Sequence, residues 1–426
     1  MTTYDATIGN VPVPNLSYFS PQHQTSPGTA KTIDESTPTI FRPLKVRGVT
    51  LRNRICVSPM CQYSCAPSGP STGVLTPHHI VTLGHYAYKG AALVMVEATG
   101  VQPNGRISVN CPGLYNDAQQ TGLKSVAEVI HSHGALIGVQ LSHGGRKSGT
   151  TAPWIANRQG KGSARASVAE GGWPDNVVGP MGGAGSSWDG KPPNDESGGF
   201  CEPKQMTRDD IKEFIADWAS SANRAVMAGV DIIEIHAAHG YLLHQFLSPI
   251  TNQRSDEYGG SFENRIRLTI EVIAAVRAAI PETMPIILRK TLGQWDVSST
   301  TRLAKLLPSL GVDILDISSG GNHPAARLNV FNAGKEQAEI AKQLRKELRA
   351  SDNKLLVSVV GMINESGQAR DLVEQNSAGD AAADLIFVAR KFLNDPAWVM
   401  RLAEDLGVDV AWPIQMARPQ ITGSKG

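Results

Sequence analysis

No apolar run in the 426 residues approaches the roughly 20 that a membrane-spanning helix needs, so a soluble protein is expected. The formal net charge is only +1, and no Lys/Arg cluster is interleaved with aromatics, which removes the usual footprint of a nucleic-acid or membrane-surface partner. The five cysteines, Cys56, Cys61, Cys65, Cys111 and Cys201, are odd in number, scattered, and nowhere spaced C-x-x-C. That argues against a disulfide framework and a structural zinc site, and for a reducing, cytoplasmic compartment. The first residues lack the basic stretch and apolar core of a secretory leader. Residues 1–40, rich in Pro, Ser and Thr, read as a poorly structured arm lying on the rest of the chain or on a neighbouring subunit.

What is present, over residues 41–426, is a rhythm of short apolar runs and amphipathic segments. Strands are expected at Arg54 to Met60, Leu93 to Glu97, Leu136 to Leu141, around Ile232 to Ile235, Pro285 to Arg289, Asp313 to Ile317, Leu355 to Val359 and Asp384 to Val388. Helices fit between them, around His79 to Lys89, Asp117 to His133, from Thr207 onward, Glu263 to Ala279, Thr300 to Leu310, Gly334 to Leu348 and Ser366 to Glu374, with the last around Asp395 to Leu406. A Gly-, Ser-, Pro- and Trp-rich insertion at about 142–206 interrupts the rhythm after the third strand. Eight βα units spell a (β/α)8 TIM barrel, one α/β domain. A doubly wound sheet is the competing fold, weakened by the missing Gly-rich turn after the first strand.

A barrel of this kind carries its chemistry at the C-terminal ends of the strands. There the chain places Met60 and Cys61, Ala98, Gln140, His236 with His239 and Tyr241, Arg289, Ser318 to Gly320, Gly361, and Ala389 with Arg390. Small residues after strands six to eight let backbone N–H groups approach an anion, and Arg390 adds a charge-assisted bond; ordinary turn glycines are the plain alternative. His236-x-x-His239 could be half of a metal site, yet no carboxylate follows at ligand spacing. Two imidazoles aimed at one carbonyl oxygen would polarise it, and the Tyr241 phenol could deliver a proton; two structural histidines would explain the same residues. Cys61 is a nucleophile, a redox modulator or a small hydrophobe. Arg289 must face something anionic, a ligand or a structural carboxylate.

The stretches SPMCQYS (Ser58 to Ser64), VEATGV (Val96 to Val101), GVQLSHGGRK (Gly138 to Lys147), IHAAHGYLLHQFLSP and TNQRSDEYGGSFENR together resemble the old yellow enzyme family of FMN-dependent ene-reductases. The likeness runs from about Phe41 to the C-terminus, and it points to the subgroup with a cysteine beside the flavin and to fungal-type members. It implies FMN as cofactor, NADPH or NADH as reductant, and ping-pong hydride transfer from flavin N5 to the C=C bond of an α,β-unsaturated carbonyl compound. Pro59, Met60, Cys61 and Ala98 would then line the flavin, Gln140 would bond its pyrimidine edge, and Arg289 would face the N1 side, where reduction places charge. Ser319, Gly320, Gly361, Ala389 and Arg390 would hold the phosphate. His236 and His239 would bind the substrate carbonyl, Tyr241 would protonate the α-carbon, and Tyr63 would close the pocket. Arg418 would reach a neighbouring subunit's site, implying a homodimer or larger homo-oligomer. Lys290 to Gln294 depart from the family's run after Arg289, which bears on substrate scope. A biosynthetic reductase or isomerase built on the same flavin, a metal-dependent barrel lyase or hydrolase, and a non-catalytic barrel remain as alternative readings.

Overall fold

A computed structural model describes residues 10–161, 163–192, 195–292, 297–321, 333–374 and 381–416. Eight parallel strands close into a barrel in chain order: β1 Ile55–Val57, β2 Leu93–Gly100, β3 Leu136–Ser142, β4 Ile232–Ala237, β5 Ile286–Leu292, β6 Ile314–Ser319, β7 Leu356–Val360 and β8 Leu385–Val388, which returns to β1. All residues of β2, β4 and β8 are buried, because each strand has helices outside and packed side chains inside. Strands covered on both faces read as unbroken apolar runs, which is why they stand out in the sequence.

The helices are α1 Pro77–Tyr88, α2 Asp117–Ser132, α3 Arg208–Met227, α4 Phe262–Ala279, α5 Val297–Leu306, α6 Ala333–Ala350, α7 Ser366–Val373 and α8 Trp398–Asp405. Their starts are written locally. Thr207 Oγ1 accepts from the Asp210 N–H at 3.1 Å while Asp210 Oδ2 accepts from the Thr207 N–H at 2.7 Å, a reciprocal cap ahead of α3. Asn116 and Gln119 do the same ahead of α2, and Ser261 Oγ caps α4. Each such cap contributes about 1 kcal/mol.

Several boundaries differ from the sequence expectation. β1 stops at Val57 rather than Met60: the Ser58 N–H makes a last bond to the Val388 oxygen, and Pro59 has no N–H to continue. β2 runs past Glu97 to Gly100, and its pairing with β3 slips between Val96 and Thr99, a bulge that re-aims the side chains there. The helix expected to span Thr300 to Leu310 begins earlier and ends at Leu306, with a separate turn at Pro308–Leu310. The last expected helix starts only at Trp398, after Pro396, and a short helix outside the expectation, Arg390–Asn394, precedes it.

Part of the arm is tied to the rest of the chain. The Gly28 and Lys31 N–H groups donate to the oxygens of Ala411 and Asp409, each at 2.9 Å, and the Ala411 N–H donates to Thr29 at 2.8 Å. Asn53 Nδ2 reaches both Gly28 and Gly90 oxygens. Gly28, at φ +78°, approaches so closely that a Cβ would lie 2.2 Å from the Gly90 oxygen. These backbone bonds order a segment whose composition alone suggested slack. A hairpin absent from the sequence expectation, Leu44–Val46 with Val49–Leu51, packs Val46 and Leu51 against Leu93, Ile232, Ile287 and Ile314, plugging the end of the barrel away from the strands' C-termini. At the opposite end the 142–206 insertion folds over the mouth, where Trp188 packs on Phe200 and its Nε1–H donates to the Gly321 oxygen at 3.0 Å.

Candidate active site

β4 delivers His236 buried at its end, and the chain then turns through His239 at φ 57°, a left-handed conformation that non-glycine residues rarely adopt. The His239 N–H donates to Thr291 Oγ1 at 2.7 Å, which holds the turn. Tyr241 then precedes the short helix Leu242–Leu247. The three rings stand edge to face: His236 lies 5.0 Å from His239 and 4.9 Å from Tyr241 between centroids.

Their protonation follows from their partners. His236 Nδ1 accepts from the Ala238 N–H at 3.3 Å, so its proton sits on Nε2. Burial, then His239 and Arg289, hold His236 well below the ordinary imidazole range. His239 Nε2 lies 2.7 Å from Ser318 Oγ, and burial with Arg289 and Lys147 lowers it to about 3. Both rings are therefore neutral at physiological pH. Burial, reinforced by Cys61, Tyr63 and Cys111, pushes the Tyr241 phenol well above its ordinary value, so it keeps its proton.

Beside this trio lies a cavity of about 810 Å³ whose wall includes Tyr63, Ile107, Lys147, Trp188, Phe200 and Tyr241. Lys147 was not singled out by the sequence reading, although it closes the GVQLSHGGRK stretch. Its Nζ donates to the oxygens of His239 at 2.9 Å and Gly321 at 3.1 Å and lies 5.0 Å from the ring centres of both Trp188 and Tyr241. Burial, then Arg146, lowers it to about 7. Tyr63, at φ 50°, meets Trp154 edge-on at 5.8 Å. Cys61, Tyr63 and Tyr241 pack together against buried Ala98, Ile107 and Cys111.

Arg289, on β5, is buried. Its Nε lies 2.6 Å from Glu234 Oε1 and 2.5 Å from Asp316 Oδ2, and its Nη2 donates to Ser58 Oγ at 3.2 Å. Gln140 Nε2 donates to Glu234 Oε1 at 2.9 Å, and Ser358 Oγ to Asp316 Oδ1 at 2.7 Å. Both carboxylates escaped the sequence reading, although a charged residue inside an apolar strand is a visible signal in IIEIHA and DILDIS. Burial raises Glu234 to about 7, against the lowering pull of Arg289. Arg289 thus has the structural ion-pair partners that the sequence left open.

At the ends of β6 to β8 the chain offers backbone. Gly320 and Gly361 have φ 95° and 133°, and Ala389 precedes the short helix Arg390–Asn394. Arg390 is exposed, and among the described residues only the Met362 sulfur, 3.0 Å away, is its hydrogen-bond partner. Ser319 Oγ is engaged by the Gln337 amide. Among the described residues no third His, Cys, Asp or Glu joins His236 and His239 in a metal-holding group.

The profile of the NADH:flavin oxidoreductase / NADH oxidase family matches residues 39–408. The chain belongs to that family. A NADH:flavin oxidoreductase of Gibberella zeae is 39% identical over 418 residues, covering 95% of this chain and 94% of the relative. A NADPH dehydrogenase of Bacillus licheniformis is 36% identical over 384 residues, 89% of this chain and 98% of its own. Among solved structures, a morphinone reductase superposes with a TM-score of 0.67 at 26% identity, covering 88% of this chain and 91% of that one. A 2-naphthoyl-CoA reductase, at 21% identity and a TM-score of 0.70, shares the fold, and this chain spans 52% of it.

Membership of this flavin oxidoreductase family, the old yellow enzymes, makes the protein an FMN-dependent oxidoreductase that draws electrons from a reduced nicotinamide. The residues present fit FMN. Two positive-φ glycines and an exposed arginine without a carboxylate among the described residues suit its phosphate, and Met60 and Cys61 are half-buried just beyond the end of β1. Arg418, and Gly293 and Gln294 of the departing segment after Arg289, lie outside the described residues.

Proposed function

We propose that this flavin oxidoreductase reduces the C=C bond of α,β-unsaturated aldehydes, ketones or similarly activated alkenes with electrons from NADPH or NADH, the two substrates taking turns in one pocket. FMN supplies hydride transfer when bound. The observation that carries the reading is the neutral, edge-to-face trio of His236, His239 and Tyr241 beside the cavity.

The His236 Nε2–H, fixed by the bond at Nδ1, donates to the substrate carbonyl oxygen. With Ser318 Oγ–H as donor in its 2.7 Å contact with His239 Nε2, the His239 proton sits on Nδ1 for the same oxygen. Two such bonds withdraw electrons from the conjugated alkene and prepare its β-carbon for hydride. Tyr241, protonated at neutral pH, supplies the α-carbon proton. Pro59, Met60, Cys61 and Ala98 would wall the flavin, Gln140 would bond its edge, and Arg289 would face its N1 side. Ser319, Gly320, Gly361, Ala389 and Arg390 would hold the phosphate.

The test separates the half-reactions. In Tyr241→Phe, alkene reduction should slow about 100-fold or more while flavin bleaching by NADPH keeps its rate; equal loss in both sinks the proton-donor role. A yellow preparation that neither nicotinamide bleaches would sink the reductase reading itself.

A further inference from the structure

The β2 bulge aims Glu97 into a cluster of which the proposed reaction uses only Cys61. Glu97 is 2% exposed, and its two oxygens accept from His79 Nε2 at 3.2 Å and from the Gln62 N–H at 3.0 Å. His79 is fully buried, and its Nδ1 accepts from the Thr76 N–H at 2.9 Å, which puts the imidazole proton on Nε2 and leaves the ring neutral. Glu97 therefore has two hydrogen-bond donors but no cation to balance it among the described residues. A buried carboxylate without a counter-charge is costly unless something positive joins it.

Two thiols complete the surroundings. The ligand atoms of Cys61, Glu97 and Cys111 all lie within 4.8 Å of one another. Cys111 is fully buried, with its N–H on the Ser108 oxygen at 3.0 Å, whereas Cys61 is half-buried toward the mouth. Bonds of about 2.3 Å to sulfur and 2.0–2.2 Å to a carboxylate give a tetrahedral site with edges of roughly 3.5 Å, within reach of small side-chain rotations. His79 orients the carboxylate from behind, as partners of metal ligands do.

We infer that Cys61, Cys111 and Glu97 form a binding site for a thiophilic divalent cation of the zinc and cadmium class, with its fourth position open toward the cavity. Binding displaces two thiol protons: M²⁺ plus two thiols gives the bis-thiolate complex and two H⁺, with no change of oxidation state. Because both thiols must release their protons to bind the cation, affinity rises with pH. A cation here sits against Tyr63 and Tyr241, which pack on the same cluster, and narrows the pocket. The site is therefore inhibitory. It was invisible in the sequence because its ligands come from three separate loops and strands rather than one C-x-x-C element.

The flavin-loaded protein, in chelator-treated buffer, is titrated with cadmium chloride while the ultraviolet thiolate-to-cadmium charge-transfer band, the heat and the released protons are recorded. One tight equivalent is expected, with proton release and displacement of the band by zinc. In Cys111→Ser the band and the proton release should disappear. Glu97→Gln and His79→Gln should weaken binding by about tenfold or more. Zinc should slow alkene turnover in the parent and leave Cys111→Ser at its own zinc-free rate. An equally strong band in Cys111→Ser, cadmium held at Cys56, Cys65 or Cys201 instead, or a two-hydrogen mass loss from a Cys61–Cys111 disulfide without cation uptake would each overturn the site. These readouts do not require alkene reduction, so they stand apart from the reductase reading.

Discussion

Lys147 Nζ lies 5.0 Å from the centre of the Tyr241 ring while donating to the His239 carbonyl oxygen at 2.9 Å. One ammonium from the loop after β3 thus braces both the β4 turn and the proposed proton donor, and its contact with Trp188 ties the insertion to the same point. A cation over an aromatic face contributes about 0.5–2 kcal/mol, more when desolvated.

Burying that ammonium has a cost that pH reveals. Lys147 is lowered from 10.5 to about 7. Below about pH 7 folded and unfolded chains both bind the proton and the penalty is complete; between 7 and 10.5 the unfolded chain binds more protons, so stability rises with pH. The slope is at most about 1.4 kcal/mol per pH unit. Lys290, fully buried and also lowered to about 7, adds the same trend, so the comparison must be differential. Urea unfolding of the parent and Lys147→Met is expected to show a gap that shifts in the parent's favour from pH 7 to pH 10. A gap constant across that range would refute the burial argument.

Removing Arg289 should destabilise far more than a surface ion pair would. Arg289→Met leaves Glu234 and Asp316 buried without their cation, at a cost of about 3–5 kcal/mol. Calorimetry on the flavin-free protein is the right measurement, because it separates this role from flavin binding. The triple variant with Glu234→Gln and Asp316→Asn should recover much of the loss. If Arg289→Met weakens FMN binding yet leaves the flavin-free melting temperature unchanged, the carboxylates are not what the guanidinium balances.

The barrel was legible because its strands are buried on both faces, so Leu93 to Val96 or Ile232 to Ile235 appear as apolar blocks whatever surrounds them. The β4 trio was legible because three polar side chains follow such a block at once. Glu234 and Asp316 were overlooked for the same reason: a strand identified by its apolar neighbours conceals the one charged residue pointing into the barrel. Lys147, the Cys61–Glu97–Cys111 cluster and the clasp between Gly28 and Ala411 depend on contacts between distant segments, which no local spacing encodes. Pro59 and Pro396 could have corrected two boundaries, since each interrupts an element where the apolar pattern alone carries on.

Acid should unfold the protein through its buried imidazoles. His143 and His239 are each lowered from 6.5 to about 3, chiefly by burial, so the folded state binds fewer protons than the unfolded state across that interval. Their stabilisation is complete above 6.5 and is lost progressively as pH falls toward about 3. His143 Nδ1 accepts from the Gly145 N–H at 3.0 Å, an acceptor that asparagine can imitate. His143→Asn should therefore reduce the acid sensitivity of the urea midpoint between pH 6 and pH 4, by up to about 1.4 kcal/mol per pH unit. An unchanged slope would mean that the ring is protonated without opening the fold.

Gly321 is where the β6 loop must pass the β4 turn. Its φ is +86°, and a Cβ would lie 2.5 Å from the His239 carbonyl oxygen and 2.9 Å from its carbonyl carbon, backbone atoms that cannot swing aside. The same two carbonyls, of His239 and Gly321, receive Lys147 Nζ, and the Gly321 oxygen also receives Trp188 Nε1. Gly321→Ala should cost about 1–3 kcal/mol and displace His239, loosening the grip on a carbonyl or phenolate oxygen. Gly407, at φ +68° with nothing within 4 Å of a built Cβ, is the internal control. Gly407→Ala should cost about 1 kcal/mol from its left-handed backbone alone and leave the site untouched. Titrating both flavin-loaded variants with a para-substituted phenol and following the flavin's visible spectrum checks this. Binding should weaken in Gly321→Ala and stay at the parent value in Gly407→Ala. Equal weakening in both, or none in the first, would show that close packing of these two loops does not position His239.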